Sequence, residues 1–546
     1  MSVATSLWTK TFPQVSVLNN PTLKELRSLA SFEEKATAFG APCYFTQQAG
    51  SRSAKSTFVY EEGSFKAGRF QQKADSELVK KVLEAVQGQM VKADWMTLDR
   101  TVGKNQEMQF HARLWIPKKY ARIALLWSQT LFPVPASLRD TQREPDFLTL
   151  YFPDWREHIP ASLRQGFPEK IILVNPEAGI NYVLGVDYVG ETKMSFLRLS
   201  MYGAKKKGGL GLHAGSKIIK VRGEGSGVRG QKDSGLCEVG FLLFGLSGTG
   251  KTTLTLEDHG LRDPEGVVVL QDDIVLLTPQ GKAYGTEDNF YVKTEGLTQK
   301  DQPGLFKALM DPGTVFENVY FDEKTKQVDF TNYKYGTNGR ALALRSKIPN
   351  SDHRVDLEKT HKLIFITRRD TIVPPVTKLN TTQAVAYFML GESIETSAGD
   401  PTRAGQPKHE VGFNPFILGL EDEEGNRLLS ILKNNPGIEV YLLNTGSVGK
   451  QADQKGFDPN GKKITKNVSA KILEAVARRN IRWAKDPDWR YEVAQEVPGI
   501  DDFKQYDPHI YYRPETYARL REEMKEERRK YLAQFDRLEP KILQSL

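Results

Sequence analysis

Residues 244–254 read Phe-Gly-Leu-Ser-Gly-Thr-Gly-Lys-Thr-Thr-Leu. This run satisfies every required position of the pattern G-x-x-x-x-G-K-[ST], and the apolar residues 239–244 before it predict a buried strand. The residues from Leu254 onward are suited to a helix. Glycines let backbone N–H groups turn inward around phosphate oxygens, and the start of the following helix adds the positive end of its dipole. The sequence therefore predicts a phosphate-binding loop between a strand and a helix.

Each residue of this loop has an expected role in binding a nucleotide triphosphate. The Lys251 side chain is expected to reach the β- and γ-phosphates, and the Thr252 hydroxyl is expected to bind Mg²⁺. The remaining contacts to the nucleotide are predicted from the other loop residues: Gly245, Leu246, Ser247, Gly248, Thr249, Gly250 and Thr253.

A second element supports this prediction. The β-branched run 267–270 leads through Gln271 into Asp272 and Asp273, and a second apolar run follows at 274–277. Two carboxylates at the end of a buried strand are costly unless a positive group meets them, and magnesium held by a phosphate loop supplies that charge. The two elements together predict a nucleotide triphosphate and a metal, but they do not name the acceptor.

The composition limits the class of protein. A chain of 546 residues with 39% hydrophobic and 26% charged residues predicts a globular protein with two large lobes. No apolar run approaches the roughly 18 residues that span a bilayer, and residues 1–12 lack the features of an export signal, so we expect a cytoplasmic protein without a membrane partner. The two cysteines, Cys43 and Cys237, exclude a disulfide scaffold and a cysteine-based zinc site. A net charge of +8 favours small anionic substrates over nucleic acid, and nothing indicates the oligomeric state.

The pattern along the chain predicts an N-terminal lobe of mixed helices and strands over residues 1–207 and a phosphate-loop lobe over 208–546. Further local predictions are an amphipathic helix over 76–92 with Leu78, Val79, Val82 and Val86 on one side, a buried strand over 171–174, surface loops over 223–232 and 399–407, and a helix over 513–538 that packs on the body of the protein.

Several short segments, in a shared order along the chain, resemble the ATP-dependent phosphoenolpyruvate carboxykinases. The resemblance extends from about Arg52 to the C-terminal region. Besides residues 244–254 and 271–273, it is carried by 51–55, 188–193, 212–213, 339–340, 364–376, 444–446 and 497–500. It implies a two-lobed α/β fold whose N-terminal lobe binds the substrate and whose C-terminal lobe is a P-loop mononucleotide-binding lobe that also binds metal.

The resemblance also implies a reaction, in which oxaloacetate and ATP give phosphoenolpyruvate, CO₂ and ADP, with Mg²⁺ and Mn²⁺ as metals. It assigns substrate binding to Arg52, Tyr188, Gly190 and Arg340. It assigns catalytic roles to Lys193, Ser247, Lys251, Asp272 and Arg340. It assigns metal binding to His213, Thr252 and Asp273, and further nucleotide contacts to Lys293, Lys463 and Ser469.

The chain departs from the family pattern at several positions. The family has two adjacent lysines after Gly-Glu-x, the second of which ligates manganese, whereas here Lys193 is followed by Met194. A thioether is a soft ligand that suits Mn²⁺ poorly. Lys463 occupies the position of a family arginine near the adenine, and Ser469 occupies that of a threonine. The basic, Gly-rich insert 221–234 lengthens the segment before the phosphate loop.

Two alternatives to the carboxykinase remain open from the sequence. The Met194 departure motivates a kinase on the same fold with another small-molecule or protein acceptor. A nucleotide-binding regulatory protein without activity is a further alternative, although the intact Lys251, Thr252, Asp272 and Asp273 argue against it. A phosphoryl partner other than ATP also remains possible from the sequence alone.

Overall fold

The computed structural model describes residues 17–46, 56–90, 94–138, 144–158, 168–222, 235–246, 248–336, 338–395, 406–450 and 461–546. The fold is a mixed α/β fold with several sheets. The chain divides into two compact units, each built from separate stretches of sequence. Unit 1 comprises Met1–Gly203, Thr286–Pro349 and Phe416–Leu420, and unit 2 comprises Ala204–Gly285, Asn350–Pro415 and Glu421–Leu546.

These units differ from the predicted contiguous lobes 1–207 and 208–546. The first boundary lies close to the predicted position, but Thr286–Pro349 returns to unit 1. The physical reason is strand pairing, because Phe316 of this stretch pairs in parallel with Cys43 near the N-terminus. Pairing between strands so distant in sequence leaves no local pattern from which the return could be predicted.

The strands lie in chain order as follows. The first stretch of unit 1 contains β1 (Val17–Asn19), β2 (Lys35–Ala36), β3 (Pro42–Tyr44), β4 (Thr57–Val59), β5 (Gln72–Lys73), β6 (Trp95–Val102), β7 (Phe110–Pro117), β8 (Phe132–Pro133), β9 (Phe147–Phe152), β10 (Ile171–Asn175) and β11 (Ile180–Leu184). The first stretch of unit 2 contains β12 (Leu210–Arg222), β13 (Leu236–Gly245), β14 (Gly266–Gln271), β15 (Ile274–Leu277) and β16 (Ala283–Gly285). The second stretch of unit 1 contains β17 (Phe290–Lys293), β18 (Val315–Glu317), β19 (Tyr320–Phe321), β20 (Val328–Asp329) and β21 (Arg340–Ala343). The remainder of unit 2 contains β22 (Lys362–Thr367), β23 (Val376–Leu379), β24 (Glu392–Ile394), β25 (Pro407–His409), β26 (Glu439–Asn444), β27 (Ser447–Val448), β28 (Lys462–Lys463), β29 (Arg482–Lys485) and β30 (Glu492–Glu496).

The helices are α1 (Leu23–Leu29), α2 (Ser76–Met90), α3 (Ala121–Thr130), α4 (Trp155–His158), α5 (Val189–Lys206), α6 (Lys251–Leu256), α7 (Pro303–Leu309), α8 (Thr381–Leu390), α9 (Glu421–Asn434), α10 (Lys466–Arg478), α11 (Pro514–Leu532) and α12 (Pro540–Leu543). Within the described ranges, each helix is too short or too polar to cross a membrane.

The described residues of unit 1 form two large sheets and the two-stranded sheet β19-β20. The larger has the order β1-β6-β7-β9-β11-β10-β4-β5 with β8 beside β6, and the smaller has the order β17-β21-β18-β3-β2. Helix α2 packs on the larger sheet through Val82 and Val86, with Leu78 and Val79 partly buried beside them. The predicted amphipathic helix is therefore confirmed over Ser76–Met90, and the predicted buried strand at 171–174 is confirmed within β10.

Unit 2 is built on one large sheet of order β16-β15-β12-β13-β22-β26-β23-β30-β29, with β14 beside β12. Strands β13, β22 and β26 run parallel at its centre, and both β22 and the second half of β13 are buried along their length. Continuous apolar runs are typical of such central strands because both faces are covered. The predicted strands at 239–244, 267–270 and 274–277 are thus confirmed within β13, β14 and β15.

The C-terminal helix α11 packs within unit 2, as predicted, and buries Tyr517, Leu520 and Met524. It ends at Leu532, however, so Phe535 is buried from the turn that follows rather than from the helix. The predicted loop at 223–232 lies outside the described residues, and most of the loop at 399–407 does so as well. Its last residue, Pro407, instead begins strand β25, which pairs with β24.

Candidate active site

The strand, loop and helix predicted around residues 244–254 are present in unit 2. Strand β13 ends at Gly245, and helix α6 begins at Lys251 after Gly250, which has a φ of 95°. Within the loop, the Thr249 hydroxyl donates to the Leu246 carbonyl at 2.8 Å. The Thr445 hydroxyl donates to the Thr249 carbonyl at 2.9 Å, so the loop is tied to the segment after the parallel strand β26. Ser247 lies outside the described residues.

The acidic turn between β14 and β15 meets the first residues of α6. The Thr252 hydroxyl donates to Asp272 Oδ2 at 2.9 Å, and Lys251 Nζ lies 3.8 Å from Asp273 Oδ1. Lys251 is only 9% exposed. The acidic turn and the start of α6 therefore lie side by side in unit 2.

His213 lies in strand β12 and joins the same group. Its Nε2 atom lies 3.1 Å from Asp273 Oδ1, and its Nδ1 atom lies 2.8 Å from the Phe413 carbonyl oxygen. A carbonyl only accepts, so Nδ1–H donates to Phe413; the Asp273 carboxylate also accepts, so Nε2 faces it as a donor, and a cation bound between them would take the place of that proton. This is the arrangement in which a backbone carbonyl orients a metal-ligating histidine. Phe413 has a φ of 55°, and sequence reasoning had no signal for its role.

These donors fit divalent cations, but they make only partial sites. A hydroxyl and a carboxylate suit Mg²⁺, and an imidazole with a carboxylate suits Mn²⁺. Among the described residues, no group of three or more histidine, cysteine, aspartate or glutamate side chains is arranged to hold a metal. The remaining ligands of either ion would therefore be water or substrate oxygens.

Unit 1 holds the second set of predicted residues around the start of helix α5. The Tyr188 hydroxyl donates to Asn338 Oδ1 at 3.3 Å. Burial raises the pKa of Tyr188, and the Arg340 guanidinium acts in the opposite direction. A side-chain carbon added at Gly190 would lie 2.3 Å from the Tyr188 ring, so only glycine lets the ring lie across the helix start. Arg52 lies outside the described residues.

Buried charged and polar side chains form hydrogen bonds with the segment that carries Tyr188. Arg122 donates to the Asp187 carboxylate at 2.9 Å and to the Asp187 carbonyl at 3.0 Å. The Glu317 carboxylate accepts from the Val189 N–H at 3.0 Å, and the Tyr151 hydroxyl donates to the Tyr188 carbonyl at 2.8 Å. Sequence reasoning missed all of these supporting residues, because their pairing connects positions far apart along the chain.

Two further lysines that were predicted as site residues form ion pairs in unit 1. Lys193 is buried and forms an ion pair with buried Glu287 at 2.9 Å, a partner that the sequence did not indicate. Lys293 lies directly opposite Arg340 in the β17–β21 ladder and forms an ion pair with Glu295. Met194 follows Lys193 in α5 and is buried, at 8% exposure.

The two remaining nucleotide predictions fall in unit 2. Lys463 is exposed in the short strand β28, opposite Ser447. Ser469 is buried in α10, and its Oγ atom has no hydrogen-bond partner among the described residues. Their predicted contacts to the adenine remain predictions.

Comparison with known proteins identifies the family of the chain. A family model described as phosphoenolpyruvate carboxykinase matches residues 15–503. The chain belongs to the phosphoenolpyruvate carboxykinase family and is an enzyme of the lyase and kinase type. It is similar to the protein named phosphoenolpyruvate carboxykinase (ATP) from Aeropyrum pernix, with 37% identity over 81% of each chain. A protein of the same name from Novosphingobium aromaticivorans is 26% identical over 69% of this chain and 66% of its own length. These matches favour the carboxykinase over a kinase with a different acceptor.

Proposed function

We propose that this protein is an ATP-dependent phosphoenolpyruvate carboxykinase that converts oxaloacetate and ATP to phosphoenolpyruvate, CO₂ and ADP. The observation that carries the proposal is the group in unit 2 that joins the phosphate loop to an acidic turn and a histidine. In that group, Asp273 lies within 3.1 Å of His213 and 3.8 Å of Lys251, and Asp272 accepts from Thr252 at 2.9 Å. Family membership supports the choice of oxaloacetate as the other substrate.

The residues of unit 2 would bind and orient the triphosphate. The loop N–H groups of residues 245–250 would surround the phosphate oxygens, and Lys251 would offset the charge that develops on the γ-phosphate during transfer. Ser247 would contact both substrates, and Thr253, next to Thr252 at the start of α6, would complete the binding of the nucleotide. Lys463 and Ser469 would contact the adenine, and the family resemblance assigns a further nucleotide contact to Lys293, a residue of unit 1.

The residues of unit 1 would bind the organic acid. Oxaloacetate carries two carboxylates, and a guanidinium binds a carboxylate through two parallel hydrogen bonds. Arg52 would supply one such fork and Arg340 a second positive group. Burial raises the pKa of Tyr188, so its hydroxyl stays protonated and donates near neutral pH. Lys193, held by Glu287, would keep a positive charge near the acid.

Divalent cations fit the donor sets described above, with Mg²⁺ on Thr252 beside Asp272 and Mn²⁺ on His213 and Asp273. Bound there, they would stabilise the negative charge on the phosphates and on the enolate oxygen that decarboxylation leaves. The protein's own contribution is to orient the ligands: Phe413 fixes the tautomer of His213, and Asp272 fixes the hydroxyl of Thr252.

The direct test is to incubate the purified protein with oxaloacetate, ATP, Mg²⁺ and Mn²⁺. Phosphoenolpyruvate and ADP should form in equal amounts, together with an equal amount of CO₂ above the background of the same mixture without enzyme, and no phosphoenolpyruvate should form when ATP is left out. Parallel reactions with GTP would define the nucleotide specificity. If ATP is consumed only with another acceptor, or if no CO₂ is released, the carboxykinase assignment is wrong.

Replacing Arg52 with lysine should reduce kcat/KM for oxaloacetate by about 10- to 100-fold, because a point charge cannot reproduce the paired hydrogen bonds of a guanidinium. The affinity for ATP should change little. Arg69→Lys, at an exposed arginine of the same unit, is the matched control and should behave like the wild type. An unchanged dependence on oxaloacetate in Arg52→Lys would mean that Arg52 does not bind the acid.

Replacing Met194 with lysine should restore the family's missing manganese ligand and raise the affinity for Mn²⁺. Position 194 is buried, and burial lowers the pKa of a lysine and so favours the neutral amine that coordinates a metal. The gain should increase with pH, because the lysine must lose its proton to bind.

This prediction can be checked by titrating Mn²⁺ into the protein on both sides of neutral pH, with Met194→Leu as the control that keeps an apolar side chain. Met194→Lys should bind Mn²⁺ more tightly than Met194→Leu. Equal Mn²⁺ binding by both variants, together with no ion beside His213 and Asp273 in Mn²⁺-soaked crystals, would instead favour the kinase with a different acceptor.

A further inference from the structure

A fully buried lysine lies beneath the helix that follows the phosphate loop. Lys217, in strand β12, has 0% of its surface exposed. Its Nζ atom donates to the Leu254 carbonyl at 2.5 Å and to the Glu257 carbonyl at 3.3 Å, and it lies 2.7 Å from His259 Nε2. An ammonium group has three N–H donors, and three acceptors are arranged around this one.

Two of these acceptors belong to the C-terminal end of helix α6. The last carbonyl groups of a helix lack partners within the helix, and this end carries the negative end of the helix dipole. Helix α6 spans only Lys251–Leu256, so contacts outside the helix must hold it in place. Lys217 supplies both the missing donors and the complementary charge.

The third acceptor extends the connection to helix α10. His259 Nδ1 lies 2.8 Å from the Ala470 carbonyl, so Nδ1 carries the proton and Nε2 accepts from Lys217. Burial and the neighbouring Lys217 charge lower the pKa of His259 well below its usual value, which keeps the ring neutral. Ala470 directly follows Ser469, the residue predicted to contact the adenine.

Lys217 also shares a strand face with the proposed metal ligand His213. Successive side chains of a strand point to opposite faces, so residues 213, 215 and 217 of β12 lie on the same one. Between the two, a side-chain carbon added at Gly215 would lie 2.3 Å from Thr255 Oγ1, so the glycine lets α6 pack directly on the strand. One face of β12 therefore carries His213 beside Asp273, Gly215 against which α6 packs, and Lys217, which binds the C-terminal end of α6.

We propose that Lys217 is a positioning residue for the nucleotide, which fixes helix α6 on strand β12 and links it through His259 to helix α10. The orientation of Lys251 and Thr252, at the other end of α6, then depends on a side chain that touches no substrate. The identity of the nucleotide as ATP rests on the proposed function.

The ionisation of Lys217 gives this role a measurable signature. Burial lowers the pKa of Lys217 to about 7, while the nearby Glu257 and Asp258 carboxylates act in the opposite direction. Two further charged groups face this cluster: Lys471 acts on His259, and Lys466 forms an ion pair with Glu257 at 2.7 Å. Deprotonation leaves two N–H donors for three acceptors, so ATP binding by the wild type should weaken as the pH rises through neutrality.

The experiment compares Lys217→Met and Lys217→Arg with Lys220→Met. Lys220 lies on the same strand in a partly exposed ion pair with Glu238 at 3.1 Å, so its variant is a matched control. Lys217→Met should weaken ATP binding, measured by calorimetry, by about tenfold, a typical effect of removing a side chain that orients a binding group. The KM for oxaloacetate should stay unchanged, and so should ATP binding by Lys220→Met.

Lys217→Arg keeps its charge at every pH, so it should bind ATP with less pH dependence than the wild type. If Lys217→Met does not fold, Lys217→Gln, which retains donors, replaces it with the same expectation of weaker ATP binding.

An ATP affinity of Lys217→Met, or of Lys217→Gln in its place, within twofold of the wild type would overturn the proposal. Equal losses of ATP and oxaloacetate affinity with a lower Tm would also overturn it, because they indicate a purely structural role. Failure of the proposed function is a separate result, in which the wild type forms no phosphoenolpyruvate. The effect of the Lys217 variants on ATP binding can still be measured in that case.

Discussion

Replacing Lys251 with methionine should reduce phosphoryl transfer by on the order of 10³-fold or more, equivalent to about 4 kcal/mol of transition-state stabilisation. The physical reason is that the loop presents this buried ammonium group beside the carboxylate of Asp273, where the γ-phosphate and its metal are expected. Methionine keeps the length and apolar stem of lysine but removes the charge. The loss should therefore appear mainly in kcat.

The measurement is the steady-state rate of phosphoenolpyruvate formation, with ATP binding and Tm determined on the same sample. Lys282→Met is the matched control, because Lys282 lies in unit 2 in a largely exposed ion pair with Glu358. Its activity should match that of the wild type. Near wild-type turnover by Lys251→Met with normal ATP binding would mean that the loop does not bind the transferred phosphate.

Replacing Arg528 with methionine should destabilise unit 2 by roughly 3–5 kcal/mol, because it leaves a buried carboxylate short of its main partner. Arg528 is 1% exposed and donates to both oxygens of Glu392, at 2.6 and 2.9 Å. Its guanidinium also lies 4.9 Å from the centres of the Tyr387 and Trp489 rings. Arg369 is a second cation beside Glu392: its Nη2 atom lies 3.3 Å from Glu392 Oε2 and 2.7 Å from Glu527 Oε1, so its charge is divided between two carboxylates.

The free energy of unfolding from denaturant titration, together with hydrogen exchange along Pro514–Leu532, would measure this loss. Arg519→Met is the control on the same helix, because Arg519 and its partner Glu523 are both exposed. Its effect should lie within about 0.5 kcal/mol of the wild type. A similar result for Arg528→Met would show that the buried pair contributes no net stability.

The same pair predicts how the stability of the wild type depends on pH. Burial alone would raise the pKa of Glu392, but Arg528 and Arg369 outweigh it and lower the pKa to about 2. A folded-state pKa below the usual carboxyl value means that the unfolded chain binds more protons in acid. The stabilisation is therefore present in full above about pH 4.5, the usual glutamate value, and is lost as the pH falls towards about 2. The difference between the wild type and Arg528→Met should shrink over this window.

Much of the local structure could be predicted from the sequence by itself. The glycine and lysine spacing of residues 244–254, the apolar runs on either side of Asp272 and Asp273, and the amphipathic period of 76–90 each depend on neighbouring residues. Local patterns of this kind report the strand, loop and helix that a segment forms. The family resemblance then added the reaction and most of the candidate residues.

Only the tertiary structure decided which distant residues meet. The return of Thr286–Pro349 to unit 1, the pairing of Lys193 with Glu287, the Phe413 carbonyl on His213 and the buried position of Lys217 under α6 all join segments far apart in the chain. Such contacts arise because buried charges and backbone groups must find partners wherever the fold brings them, and a linear pattern does not record these pairings. The sequence by itself determined the kind of chemistry, and the packing of strands and helices decided which side chains hold it in place.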